Sequence, residues 1–127
     1  MTTLITQVLV PALVAASLTA AGTGCKTGSP EVRNSIIAQM QTVKPQLDAC
    51  YQIALARNRK LPAGMVTVEL IAEAGTGQFK NVLIRRDEVQ DPQVRMCVIT
   101  EVGKLKLDKP PKSNTQIPYA FRFTAVN

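Results

Sequence analysis

After the helix-start signal Ser29-Pro30, apolar side chains recur at Val32, Ile36, Ile37, Met40, Val43, Leu47, Cys50, Tyr51, Ala54 and Leu55. Spacings of three and four place them on one face of a helix. Pro45 interrupts the run, so the expectation is either a kink or two helices, with Pro45 in the first turn of the second. Leu61-Pro62-Ala63-Gly64 then breaks the helical period.

From there the period changes to two. Val66, Val68, Leu70 and Ala72 alternate with Thr67, Glu69, Ile71 and Glu73, the pattern of a half-buried strand. Gly75-Thr76-Gly77 reads as a hairpin turn into Phe79–Arg85, where Val82, Leu83 and Ile84 favour a second strand. Asp91-Pro92 is a helix entry, a capping carboxylate before a proline at the first helical position. The helix that follows carries Val94, Cys97, Val98 and Val102 on one face and ends near Gly103. A Lys- and Pro-rich connection, 104–113, leads to Ile117, Tyr119, Phe121, Phe123 and Ala125, which alternate against Pro118, Ala120, Arg122 and Thr124. The order α-β-β-α-β predicts an α+β domain, a three-stranded antiparallel sheet with two helices packed on one face.

The segment before Ser29 does not fit a folded domain. Residues 1–24 contain no charged side chain, and Leu4–Ala21 is apolar or small throughout, apart from Thr6, Gln7, Pro11, Ser17 and Thr19. Val8–Ala21 matches the apolar core of a secretory signal, followed by small residues up to Gly24 and then Cys25. This resembles a lipobox, so residues 1–24 are expected to be a lipoprotein signal and Cys25 the lipidated N-terminus of the mature chain. The n-region lacks Lys and Arg, and Gly22 stands where a lipobox favours Leu. An uncleaved membrane anchor and a buried helix are the alternatives. Residues 25–31 then form a tether and 32–127 the domain. By resemblance to bacterial lipoproteins, the basic Lys26 after Cys25 lacks the acidic inner-membrane retention signal, so the outer membrane is expected, with the domain facing the periplasm.

Export changes the meaning of the three cysteines. Lipidation of Cys25 accounts for the odd one and leaves Cys50 and Cys97 as an even pair in an oxidising compartment. The alternative is two reduced cysteines packed as small apolar side chains. Histidine and tryptophan are absent, which excludes Ser-His and Cys-His nucleophile pairs and histidine metal sites. Carboxylate chemistry is the form an enzyme would most readily take. Its candidates Glu69, Glu73, Asp87, Glu88, Asp91 and Glu101 fall mostly on expected solvated faces, so no catalytic residue, metal or cofactor is assigned.

The run Val43-Lys44-Pro45-Gln46-Leu47-Asp48-Ala49-Cys50-Tyr51-Gln52 resembles the Cys-Tyr helix of the AgmX/PglI C-terminal domain family. The resemblance continues through Gly64–Leu70, the Gly75/Gly77 turn, Val94-Arg95-Met96-Cys97-Val98 and the terminal strand Ile117–Phe123. It spans about residues 32–124. Members occur in myxobacterial envelope and gliding-motility proteins and are related in fold to the C-terminal domains of TonB and TolA. The resemblance implies a Cys50–Cys97 disulfide, a TonB-like fold and non-enzymatic protein–protein contact in the periplasm. Family members often end long, membrane-spanning proteins, whereas this domain follows a lipoprotein-like signal. Energy transduction by this chain alone is therefore not expected.

The net charge of +6 belongs wholly to residues after the signal. Arg57, Arg59 and Lys60 form one basic cluster, and Lys104, Lys106, Lys109 and Lys112 another. Two functions compete. An interaction module in an envelope assembly, of motility or transport, would accept a partner strand on a free sheet edge, from Phe79–Arg85 or Thr115–Phe123. A binder of lipopolysaccharide or peptidoglycan would use the second lysine cluster. Candidate partner contacts are Lys104, Lys106, Lys109, Lys112, Tyr119, Phe121 and Arg122. The expected partners are envelope proteins, with the membrane held through the lipid and no nucleic acid.

Overall fold

The computed structural model describes residues 28–125; the expected signal and the first part of the tether, Cys25 included, lie outside them. Six elements follow in order: α1 (Pro30–Thr42), α2 (Lys44–Arg57), β1 (Gly64–Ala72), β2 (Phe79–Asp87), α3 (Pro92–Gly103) and β3 (Thr115–Phe123). The chain is α+β as expected, with the first helical stretch divided in two. The division falls at Val43, which closes α1 and opens α2 while its side chain stays in the core. Pro45 has no N–H to offer the carbonyl one turn back, so a continuous helix would lose that bond. In the first turn of α2 the missing donor breaks nothing.

Both other helix entries are capped as the sequence predicts. The Ser29 hydroxyl accepts from the Val32 N–H at 3.2 Å. The Asp91 carboxylate accepts from Gln93 and Val94 at 2.8 and 3.2 Å. Each such cap is worth about 1 kcal/mol.

The antiparallel sheet has the order β2-β1-β3, so the first strand is central and the other two are both edges. β1 and β3 pair without interruption from Gly64 with Phe123 to Ala72 with Thr115. The β1–β2 register shifts twice, between Thr67 and Val68 and between Glu69 and Ile71. Because β1 is regular against β3, the extra residues belong to β2. One is Arg85, skipped between Ile84 and Arg86; the other lies near Asn81, whose φ is 52°.

Val66, Val68, Leu70 and Ala72 project from β1 into a single core with Ile117, Phe121 and Phe123 of β3. Ile36, Met40, Leu47, Tyr51, Val94, Val98 and Val102 complete it from the three helices. The Tyr51 ring stacks on Phe123 at 5.5 Å, and its hydroxyl donates to the Pro62 carbonyl at 3.2 Å. That donation lets a phenol sit in the core without leaving an unpaired polar group. Cys50 of α2 and Cys97 of α3, both half-buried, are bonded, with Cα atoms 6.6 Å apart and a sequence separation of 47. Closing a loop of that length restricts the unfolded chain by about 4 kcal/mol in the entropic model. For a domain this size that is a large share of total stability.

Candidate interaction edge

Backbone direction decides which edge can accept a strand. The Glu88 N–H donates to the Met65 carbonyl at 3.0 Å, and the Met65 N–H donates to the Glu88 carboxylate at 2.7 Å. Met65 therefore spends its backbone groups toward β2. By alternation Thr67, Glu69 and Ile71 do the same, while Val66, Val68 and Leu70 point theirs at β3. Their β3 partners Phe121, Tyr119 and Ile117 answer them. It follows that Pro118, Ala120 and Arg122 turn their backbone groups away from the sheet. Among the described residues, no hydrogen bond from elsewhere in the chain reaches these outward groups. All three side chains are exposed. Beyond them the edge closes, because the Thr124 carbonyl accepts from Gln52 of α2 at 3.3 Å. The open stretch thus runs from Pro118 to Arg122.

The β2 edge is different. Its first outward donor, the Phe79 N–H, is taken by the Leu105 carbonyl at 3.1 Å, and the Leu107 N–H donates to the Gly77 carbonyl at 2.9 Å. The Gln78 amide adds bonds to the Gly103 and Leu105 carbonyls at 2.9 and 3.1 Å. Gly77 permits this closure: its φ is 75°, and a Cβ there would stand 2.6 Å from the Leu107 carbonyl oxygen. Past the covered end come the two bulges and exposed Lys80, Arg85 and Arg86. Bulges and charges are the usual protections of an edge strand.

Of the aromatic candidates for partner contact, Phe121 is corrected by its burial. Only 1% of it is exposed, so it anchors β3 and cannot touch a partner. Tyr119 is half-buried on the core side, edge-on to Phe121 at 4.9 Å. Arg122 lies on the uncovered face with its guanidinium 4.0 Å from the Met65 sulfur, and it forms no ion pair among the described residues.

The lysine cluster is split. Lys104 pairs with Glu101 at 3.2 Å, whereas Lys106, Lys109 and Lys112 are exposed and make no ion pair among the described residues. Lys109 and Lys112 line a groove of about 440 Å³ together with Ser29, Glu31 and Ser35 of the α1 entry. Glu31 places a negative charge on the same wall, which offsets part of the attraction for an anion.

All six carboxylates considered for chemistry are individually matched to a cation. Glu69 meets Arg85 at 2.7 Å, Glu73 Lys80 at 2.6 Å, Asp87 Arg95 at 2.8 Å, and Glu88 Arg86 at 3.2 Å. Asp91 meets Arg57 at 3.3 Å, and Glu101 is the partner of Lys104. The Arg85 guanidinium, aided by a hydrogen bond from Gln116, holds the Glu69 carboxyl below its usual range. Lys80 and the Thr76 hydroxyl do the same for Glu73. Among the described residues no cluster of acidic or sulfur groups could hold a metal ion. No helix among them is long and apolar enough to cross a membrane.

We found no match to this chain among protein-family models, curated proteins or solved structures.

Proposed function

We propose that this chain is a non-enzymatic lipoprotein of the bacterial envelope, held at the outer membrane by a lipid on Cys25 and facing the periplasm. Its task is to accept an extended segment of a partner protein along β3, within an envelope assembly of motility or transport. The proposal includes membership of the AgmX/PglI-like, TonB-related group. The observation that carries it is the contrast of edges: among the described residues the outward backbone groups of Pro118–Arg122 meet no partner, while β2 is covered at its Phe79 end and bulged beyond it. An added strand gains main-chain hydrogen bonds there without disturbing the core.

A second reading rests on Lys109 and Lys112 at the groove and on Lys106 nearby in sequence, exposed lysines that make no ion pair among the described residues. They would attract an anionic envelope polymer. Salt separates the two, since screening weakens a charge-driven contact steeply and strand pairing far less.

The test begins with chain purified from membranes of its native host. Intact mass should equal residues 25–127 plus a lipid-sized increment, rising by about two daltons on reduction. A photo-crosslinker at Thr124 should then trap an envelope protein in a salt-resistant manner, and Ala120→Pro should abolish the adduct. A crosslinker at Lys80 should trap nothing. Equal trapping from both edges, or full loss of the adduct in high salt, would remove strand addition as the function.

A further inference from the structure

An open strand edge invites any strand, including a second copy of itself. The geometry points to Pro118 as the residue that makes this edge accept a foreign strand and refuse its own. The inference rests on β3 being a receiving edge, and it concerns which strand is received.

Pro118 occupies an outward-facing position within the open stretch and lacks the N–H that any other residue would present there. The edge thus offers two donors, from Ala120 and Arg122, against three acceptors, from Pro118, Ala120 and Arg122. Consider two copies pairing antiparallel about a two-fold axis at Ala120. The Ala120 groups satisfy each other, and each Arg122 N–H reaches the Pro118 carbonyl of the other copy. Both Arg122 carbonyls then face a proline nitrogen with no hydrogen. Symmetry makes every such defect occur twice. A foreign strand meets the same proline once, and its own sequence decides which carbonyl is left to water.

Charge acts in the same direction. Each copy carries +6, so two copies repel. Arg122 has no acidic partner among the described residues, so a foreign segment with a carboxylate beside it gains an ion pair that a second copy cannot supply. The fitting partner is an extended acidic segment, paired so that a solvated carbonyl stands opposite Pro118. Nothing in the core depends on this proline, since its side chain is exposed and β3 pairs regularly with β1 on either side of it.

Pro118→Ala and Pro118→Thr both restore the missing donor, the first with little added β preference and the second with more. Sedimentation velocity of the full-length chain in density-matched detergent, over about two decades of concentration, reads self-association directly. Wild type should remain monomeric. Both variants should self-associate about tenfold to a hundredfold more tightly, as two regained hydrogen bonds imply, with little dependence on salt. Adding Ala120→Pro to either variant should return it to monomer. Variants that stay as monomeric as wild type overturn the inference, as does wild type that already pairs through this edge. Association by Pro118→Thr alone would assign the effect to β propensity and likewise overturn it. None of these outcomes depends on finding the partner, so a failed search for one leaves this result readable.

Discussion

The two edges of this sheet share a length and a neighbouring strand and end with opposite properties. β2 and β3 are each nine residues long, and each pairs antiparallel with the same central strand; β2 carries three basic side chains and β3 one. β2 loses its edge to a returning segment, Leu105–Leu107, and to two bulges. β3 keeps a straight register and a five-residue open stretch. Strand propensity alone therefore does not make a docking edge. What matters is whether other parts of the chain come back to occupy the outward backbone groups.

The sharpest way to break the comparison is to remove what holds β3 in place. Phe121→Ala should lower unfolding free energy by about 3–5 kcal/mol, because the ring is fully within the core. Ala120→Thr, one residue away but outward and exposed, should change it by less than about 0.5 kcal/mol. Denaturant unfolding at a single pH compares the two. Similar effects would mean that β3 does not separate a structural row from an interaction row.

The closed edge can be opened in turn. Gly77→Ala puts a side chain where φ is 75° and where a Cβ would press on the Leu107 carbonyl. We expect a loss of about 1–3 kcal/mol and faster amide exchange at Phe79 and Leu107. Exchange at Ala120 and Arg122 should already be fast in the wild type. If Phe79 exchanges as fast as Ala120 before any mutation, the distinction between the edges fails.

A smaller effect should appear with pH. Glu69, on the central strand, bridges the uncovered face to Arg85 of β2 and Gln116 of β3, and its folded pKa is depressed. The ion pair's contribution is present above the unfolded carboxyl value of about 4.3 and is lost as pH falls through the lower folded value. Since the pair lies on the uncovered face of the sheet with its Arg85 partner exposed, Glu69→Gln should produce only a slight flattening of the acid limb of stability. Urea midpoints measured downward from neutral pH would show it. A variant with an unchanged acid limb would place the acid sensitivity elsewhere, for example at Glu73.

Much of this was legible in the sequence, for physical reasons that differ by element. Alternation at Val66–Ala72 and Ile117–Phe123 marked two strands, because burial on one face imposes period two. Ser29-Pro30 and Asp91-Pro92 marked helix starts, because caps are local chemistry. Pro45 left a kink and a break equally open. Val43 decides for a break by staying buried at the junction. The sealing of β2 was not legible, since it depends on Gln78 meeting carbonyls 25 and 27 residues away. Phe121 was misplaced among contact residues because alternation identifies a strand's two rows without saying which aromatic is deepest. Pro118 carries a further signal in the sequence. A proline inside a strong alternating strand already argues for an edge, with its nitrogen turned outward.

The Cys50–Cys97 link has a mechanical meaning if tension is applied. Suppose the chain is pulled between its N-terminal end and a partner gripping β3. The shortest covalent path runs through α1 and the first half of α2 to Cys50, crosses the sulfur bridge to Cys97, and continues through the second half of α3 to β3. Residues 51–96, which contain β1 and β2, form a closed ring beside that path and carry no covalent load. The sheet's central strand can then act as a clamp on β3 without being part of the rope.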